Sequence, residues 1–520
     1  MDAQASRPRL LVVLVADQFR ADYLQRFEHR WRSGFRTLLD EGARFTRAEY
    51  SYLSTSTCPG HTTIATGALP RTHGIVLNRW WHRDEQLLLQ CMEDASSPHV
   101  SYGGKPQGGS SPRRILAPTL ADRLRAENPR ARVVSISLKA RSAIPLAGKG
   151  GDAIVWFDNP SLAFVTSQAF AKEPVKAVRT FVARNPPERN LGQSWTLSDR
   201  EQTYRQPDLG IGERPEAGWD SLFPHALVGK TKAPDGRFFD QWQRSPFADE
   251  YLAQMASALV DEFQLGQRDD VTDYLAVSFS TLDLIAHDFG PESREVEDLL
   301  IRLDRTIGAV LRTLDDKVGI ENYVIALTSD HGTAPTPELS GGGHLASEDL
   351  HQLIEQTLTG LWGSRETPYV AYVGGAAVYF TDGVFDRLRR EPAAMSAVTK
   401  AILSVAGMMR VLRADELSPR TTDPLVRAAI AGYAPGRSGD LFLVPRQNWV
   451  MGPREDNDAT EHGTFHLYDR HVPILFRGHR IRAGRYTDLV SPADIAPTLA
   501  HLAGISWPGI DGRVLKEAVR

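Results

Sequence analysis

Three apolar runs in this chain are each followed at once by a carboxylate. Leu10–Ala16 stops at Asp17, Tyr274–Ser280 leads to Asp283-x-x-x-His287, and Tyr323–Thr328 passes through Ser329 into Asp330-His331-Gly332. Short, uninterrupted aliphatic runs of this kind read as strands buried on both faces. Arg132–Leu138, Ala153–Phe157 and Val472–Phe476 add further strands. Between them, Arg294–Leu314 carries Val296, Leu299, Leu300, Leu303, Ile307, Val310 and Leu311 at helical spacing. Strands alternating with helices predict an α/β fold with a largely parallel central sheet flanked by helices. Functional groups in such sheets collect at the carboxyl ends of the strands, where all three acids fall.

Two regions break the alternation. Residues 159–270 are rich in Trp, Pro and Arg, and residues 334–455 open with the loop Pro335–Gly343 before a helical stretch around Phe385–Met409. Both are expected to be insertions in one catalytic domain spanning 1–520, and both could cap its catalytic face.

A carboxylate beside an apolar run is costly unless something pairs with it. Asp17, Asp283, His287, Asp330 and His331, with His462 from a glycine-flanked loop, make six oxygen and nitrogen ligands. With almost no cysteine in the chain, that set suits two divalent metals, zinc first, and points to a two-metal hydrolase.

Thr55-Ser-Thr57-Cys58-Pro59-Gly60-His61 supplies a nucleophile. Pro59 suits the first turn of a helix, and a hydroxyl just ahead of it lies where backbone N–H groups attract an anion. Thr57 could attack phosphorus there with a metal lowering its pKa, or could simply cap the helix.

Composition excludes some classes. A net charge of −4 gives no reason to expect nucleic-acid or anionic-membrane binding. Leu10–Ala16, the longest apolar stretch near the N-terminus, is too short to span a bilayer. Arg7 and Arg9 ahead of it imitate a signal peptide, but the run meets Asp17 without a small-residue cleavage site. The expectation is a cytosolic protein, or an exported one whose signal peptide is absent from this sequence. Cys58 and Cys91 form no disulfide framework and are expected to be reduced, Cys58 as a packing residue.

In order along the chain, Asp17, Thr57-Cys-Pro-Gly-His61, Asp283-x-x-x-His287, Asp330-His331-Gly332 and His462-Gly463 resemble the alkaline phosphatase superfamily. The likeness is to its threonine-nucleophile branch, which includes the nucleotide pyrophosphatase/phosphodiesterases. It implies one zinc site from Asp283, His287 and His462 and a second from Asp17, Asp330 and His331, with Thr57 as nucleophile and ligand. His73-Gly-Ile-Val-Leu-Asn78 matches the asparagine that binds a phosphoryl oxygen in this branch. Ser137-Leu-Lys139-Ala-Arg141 resembles the Lys-x-Arg segment of PafA-like bacterial alkaline phosphatases, whose two cations contact substrate oxygens. If strand geometry persists there, Lys139 and Arg141 share one face.

The resemblance thus implies a di-zinc phosphomonoesterase with a phosphothreonine intermediate. Small phosphate monoesters would be its partners, a monomer is favoured, and the location would be periplasmic or secreted. The alternative is a nucleotide phosphodiesterase on the same core. A non-catalytic module is disfavoured because no ligand or nucleophile is missing. His61 and His73 are expected to pack behind the nucleophile. His344, His466 and His471 yield the ligand role to His462.

Overall fold

Eleven strands, numbered β1–β11 in chain order, join in one sheet in the computed structural model, which describes residues 7–455 and 458–520. They are β1 (Leu10–Ala16), β2 (Ala43–Glu49), β3 (Glu93–Ser101), β4 (Gly109–Ser110), β5 (Val133–Ser137) and β6 (Ala153–Asp158). Then come β7 (Ala163–Ser167), β8 (Asp273–Phe279), β9 (Tyr323–Thr328), β10 (His471–Gly478) and β11 (Gly484–Val490). The spatial order is β11-β2-β10-β9-β1-β8-β5-β6-β7-β3-β4.

β1 is the axis of the sheet. It pairs in parallel with β8 on one side and β9 on the other, and β5 and β6 continue the parallel run. Every residue of β1 is buried. Leu10, Val12, Leu14 and Ala16 face one core, and Leu11, Val13 and Val15 face the other. The period of two delivers one apolar set to each layer, which is why the run has no polar residue until it ends. On the flanks β10, β7 and β3 run antiparallel to their neighbours.

Helices cover both faces. The segments relevant to the site are α1 (Thr57–Thr66), α2 (Ala140–Ala147), α3 (Pro246–Glu262), α4 (Thr281–Phe289) and α5 (Arg294–Lys317). α5 starts at Ser293, whose Oγ accepts the Val296 N–H at 3.2 Å. Its buried stripe, from Val296 to Leu311, packs against α3 and the helix Gly34–Glu41. α1 and α2 pack together on the opposite face.

The departure from strand–helix alternation begins later than residue 159. β7 still belongs to the main sheet, entering it antiparallel to β6 after the short turn 159–162. Beyond it, Trp195, Phe238 and Trp242 pack into the same core as Phe157 and Phe164. Residues 334–455 hold a four-stranded antiparallel sheet, ordered Val370–Gly374, Ala377–Phe380, Leu441–Pro445, Met408–Arg413. Ile354, Leu358, Val398 and Ile402 cover it with a separate core. The expected helical stretch 385–409 is two helices, Val384–Arg390 and Pro392–Leu403, and the chain is already in a strand by Met408. Pro392 lacks the N–H that would carry the first helix onward. Among the described residues, no helix is long and apolar enough to cross a membrane.

Candidate active site

The ends of β1, β8 and β9 lie side by side, and the chain leaves each of them through a polar turn. Asp17 closes β1 by donating its N–H to Phe279 O at 2.9 Å. Gln18 then takes a left-handed backbone with φ of 65°, unusual for a residue with a Cβ. Its main-chain N–H reaches Asp330 Oδ1 at 3.2 Å and its side-chain amide reaches Asp283 Oδ1 at 3.0 Å. Gln18 therefore joins acids from β9 and α4 to the end of β1. Strained backbone of this kind persists where several contacts hold it.

α1 delivers the nucleophile segment. Ser56 is extended, and Thr57 and Pro59 lie in the first turn. A Cβ on Gly60 would lie 2.3 Å from the Asp330 carbonyl oxygen, so only glycine lets the helix come this close. Gly332 serves the same purpose, since a Cβ there would lie 2.0 Å from Tyr468 O. His61 lies behind the site: its Nε2 is 2.8 Å from Ser278 Oγ and its Nδ1 is 3.2 Å from Asp330 Oδ2. His73 binds Thr63 Oγ1, and His466 and His471 bind the carbonyls of Pro445 and Thr46, all outside the cluster.

The three expected imidazole ligands share one arrangement. Nδ1 of His287 faces Thr460 O at 3.0 Å, Nδ1 of His331 faces Gly332 O at 2.9 Å, and Nδ1 of His462 faces Thr55 O at 3.0 Å. A carbonyl can only accept, so each Nδ1 carries the hydrogen, and in the neutral ring Nε2 keeps its lone pair. Those Nε2 atoms converge on the carboxylates. His287 lies 3.3 Å and His462 3.8 Å from Asp283 Oδ1. His331 lies 3.5 Å from Asp17 Oδ1, 3.4 Å from Asp330 Oδ2 and 3.4 Å from Thr57 Oγ1. Asp283, His287 and His462 can surround one ion; Asp17, Asp283 and His331 can surround another, with Asp330 adjoining. Asp17 Oδ1 is fully buried without a hydrogen bond. Oriented lone pairs and an orphaned buried carboxylate oxygen fit resident divalent cations.

The electrostatics express the same crowding. Burial, with the charges of Asp283 and Asp330, holds the Asp17 carboxyl well above the usual range. Burial opposes the charge on Asp283 too, but Lys139 and His287 outweigh it and hold that group well below. Burial keeps His331 and His462 neutral. His287 also loses solvation, yet Asp283, Glu461 and Asp458 push it up.

Asn78 and Arg141 line a cavity of about 480 Å³ over this cluster, together with Ser56, Asp283, His287 and His462. Glu216 and Arg244 border it from the first irregular region, and Ser347, Tyr372 and Met451 from the second. Asn78 Oδ1 accepts the Cys58 N–H at 2.8 Å, which turns its NH2 the other way. Arg141 Nε is buried without a partner.

Two expectations are corrected. Lys139 and Arg141 do not alternate along a strand: β5 ends at Ser137, Lys139 caps α2, and Arg141 lies in its first turn. The Lys139 N–H turns to Ser137 Oγ, while the N–H groups of Ser142 and Ala143 turn to Lys139 O, so helical bonding replaces the ladder. The Lys139 ammonium sits on acids of both ligand groups, 2.6 Å from Asp17 Oδ2 and against Asp283 Oδ2. Cys58 and Cys91, expected as thiols, form a disulfide. A sequence separation of 33 says nothing about their meeting; the fold brings them together.

Gln18 and Asp249 were not legible as site residues. Asp249, buried on α3, accepts the Ser280 N–H at 3.1 Å and anchors the start of α4, which carries Asp283 and His287. A lone acid on the apolar side of a helix was the only available signal.

The profile of the family Phosphodiest, type I phosphodiesterase/nucleotide pyrophosphatase, matches residues 11–469. The chain belongs to this family. Within it, the chain is a PafA-like member of the alkaline phosphatase superfamily. Alkaline phosphatase PafA of Elizabethkingia meningoseptica is 30% identical, aligned over 99% of this chain and 95% of the relative. Alkaline phosphatase PhoV of Synechococcus elongatus is 29% identical over 99% and 94%. A Myroides odoratus protein named calcium-transporting ATPase is 31% identical over 99% and 95%. The crystal structure of wild-type PafA matches with a TM-score of 0.90 and 29% identity, covering 99% of this chain and 100% of that one. Murine ectonucleotide pyrophosphatase/phosphodiesterase 5, at 12% identity and a TM-score of 0.59, shares the fold; 98% of this chain and 100% of that one are covered.

Proposed function

We propose that this protein is a metal-dependent phosphomonoesterase that releases inorganic phosphate from small phosphate monoesters through a phosphothreonine at Thr57. The observation that carries the reading is the convergence of three imidazole Nε2 atoms and three carboxylates beside the Thr57 hydroxyl. Full-length relatives named alkaline phosphatases support it. Two zinc ions, held by Asp283, His287 and His462 and by Asp17, Asp330, His331 and Thr57, would supply Lewis-acid stabilisation to the attacking and leaving oxygens.

The remaining work falls to the chain. The Asn78 NH2 and the Arg141 guanidinium hold phosphoryl oxygens, and the first turn of α1 adds its dipole. Thr57 Oγ1 gives up its proton and bonds to phosphorus as the bond to the alcohol oxygen breaks, and the departing oxygen takes up a proton from solvent to leave as the alcohol. Water then cleaves the Thr57 ester, freeing phosphate. Lys139 balances Asp17 and Asp283 and so tempers the negative charge a phosphate dianion must approach. The cavity is completed within one chain, so a monomer suffices. A disulfide between Cys58 and Cys91 favours an exported, oxidising location.

The test compares kcat/KM for an aryl phosphate and its methyl diester in zinc, for wild type and Thr57→Ala. A monoester preference lost with Thr57 is the expected result. A wild type that prefers the diester would move the assignment to phosphodiesterase. Near-native kcat in Thr57→Ala would remove the nucleophile.

A further inference from the structure

Asn78 sits at the base of a hairpin. Arg79–His82 pairs antiparallel with Leu87–Gln90, from Arg79↔Gln90 at the base to His82↔Leu87 near the turn. One step below the Arg79↔Gln90 pair, the Cys91 N–H donates to Asn78 O at 2.8 Å. On its other side, the Asn78 side-chain oxygen accepts the Cys58 N–H at 2.8 Å. The two residues that bond Asn78 are the two joined by the disulfide. Cys58 follows Thr57 in the first turn of α1.

We infer that Cys58 and Cys91 are positioning residues, and that their disulfide holds the Asn78 amide in register with the Thr57 hydroxyl. This rests on the phosphatase reading above. A two-stranded hairpin alone is marginally stable in water, and this one is exposed at Leu87 and Leu88. Trp80 packs into the core on one face, and Arg83 in the turn donates to Asp440 Oδ1 at 3.0 Å; both keep the hairpin attached. Neither sets the distance between Asn78 and α1. The covalent link does, because it ties the hairpin base to the turn that carries the nucleophile. The bond from the Cys58 N–H also decides which way the amide points. With Oδ1 committed to a donor, only the NH2 is left for an anion in the cavity. Asn78 in turn satisfies an N–H that a helix start leaves without a partner.

Hydrogen exchange and a double-mutant cycle test this on the full chain loaded with zinc. Cys58→Ala/Cys91→Ala should raise deuterium uptake in the segment 76–92 and at the start of α1, with α5 unchanged. It should also lower aryl-phosphate kcat/KM about tenfold or more and weaken inhibition by inorganic phosphate. In an Asn78→Ala background the same pair of substitutions should change kcat/KM less than about threefold, since residues that act as one unit are non-additive. If the cross-link merely stabilises the fold, its loss would lower Tm and act equally in both backgrounds. Equal losses, or unchanged exchange at 76–92, would overturn the inference.

If the double variant does not fold, the folded wild type is reduced instead. A water-soluble phosphine, which unlike a dithiol does not chelate zinc, gives two electrons. It takes oxygen from water to become the phosphine oxide, and the Cys58–Cys91 bond opens to two thiols carrying the two protons of that water. The same exchange and phosphate-inhibition changes are then expected. A wild type that hydrolyses no monoester would overturn the phosphatase reading, and hydrogen exchange would then decide the Asn78 restraint by itself.

Discussion

Gly60→Ala tests whether the site depends on the close approach of α1 to β9. The added methyl would lie 2.3 Å from the Asp330 carbonyl oxygen and 2.7 Å from the Asp330 Cβ. Both atoms are on or next to the backbone, so no flexible side chain can yield, and the helix must retreat by about 1 Å to reach ordinary packing distance. Thr57 lies on that helix, 3.4 Å from His331 Nε2, and His61 leaves it to reach Asp330 Oδ2 at 3.2 Å. Neither contact survives such a shift intact. Overpacking costs about 1–3 kcal/mol of stability, and misplacing a reacting group by about 1 Å can cost roughly a hundredfold in rate. The expected outcome is a folded protein with a lower Tm and aryl-phosphate kcat/KM down about a hundredfold at saturating zinc. Gly360→Ala is the control: it lies in the helix Ser347–Trp362, and a Cβ there meets nothing within 4 Å. If Gly60→Ala kept its Tm and stayed within about threefold of wild-type kcat/KM, the close approach would be irrelevant to the site.

Other outcomes are expected on the same reasoning. Arg141→Ala removes a charge-assisted contact of about 1.5–3 kcal/mol, so monoester kcat/KM should fall by roughly one to two decades. Diester hydrolysis, with less charge to hold, should fall less, and equal losses would deny Arg141 that role. Chelation should abolish activity and zinc restore it, with elemental analysis showing about two zinc ions per chain; active protein free of transition metal would refute this. Away from the site, burial pushes the Glu295 carboxyl up to about 9, beside His225 Nε2 at 3.0 Å. The folded state then holds a proton that the unfolded chain releases near pH 4.5, so this group's stability is fullest below that pH. It declines as pH rises toward about 9. Glu295→Gln should flatten the fall in Tm between those limits, and an unchanged slope would exclude Glu295 as its source.

The calcium-transporting ATPase name carried by one relative does not alter the site reading. The six side chains proposed as ligands and Thr57 are brought together by β1, α1, α4, the end of β9 and the loop at His462. The proposed phosphoryl transfer from a monoester uses that cluster together with Asn78 and Arg141, which line the cavity over it.

Local physics made much of this legible in the sequence. Strands buried on both faces must be apolar throughout, so Leu10–Ala16, Tyr274–Ser280 and Tyr323–Thr328 announced themselves, and the acids after them marked the sheet's carboxyl edge. Thr57-Cys-Pro-Gly-His61 was readable because a helix start and a close approach each demand particular residues. Tertiary structure alone decided the rest. Lys139 reaches Asp17 and Asp283 because β5 ends at Ser137 and the chain turns there into α2. Gln18 acts through atoms 265 and 312 residues away, and Cys58 meets Cys91 only where a hairpin folds back onto α1. Periodicity and propensity act over a few residues and leave a pattern in the chain. Contacts between distant segments leave none until the sheet has placed the segments side by side.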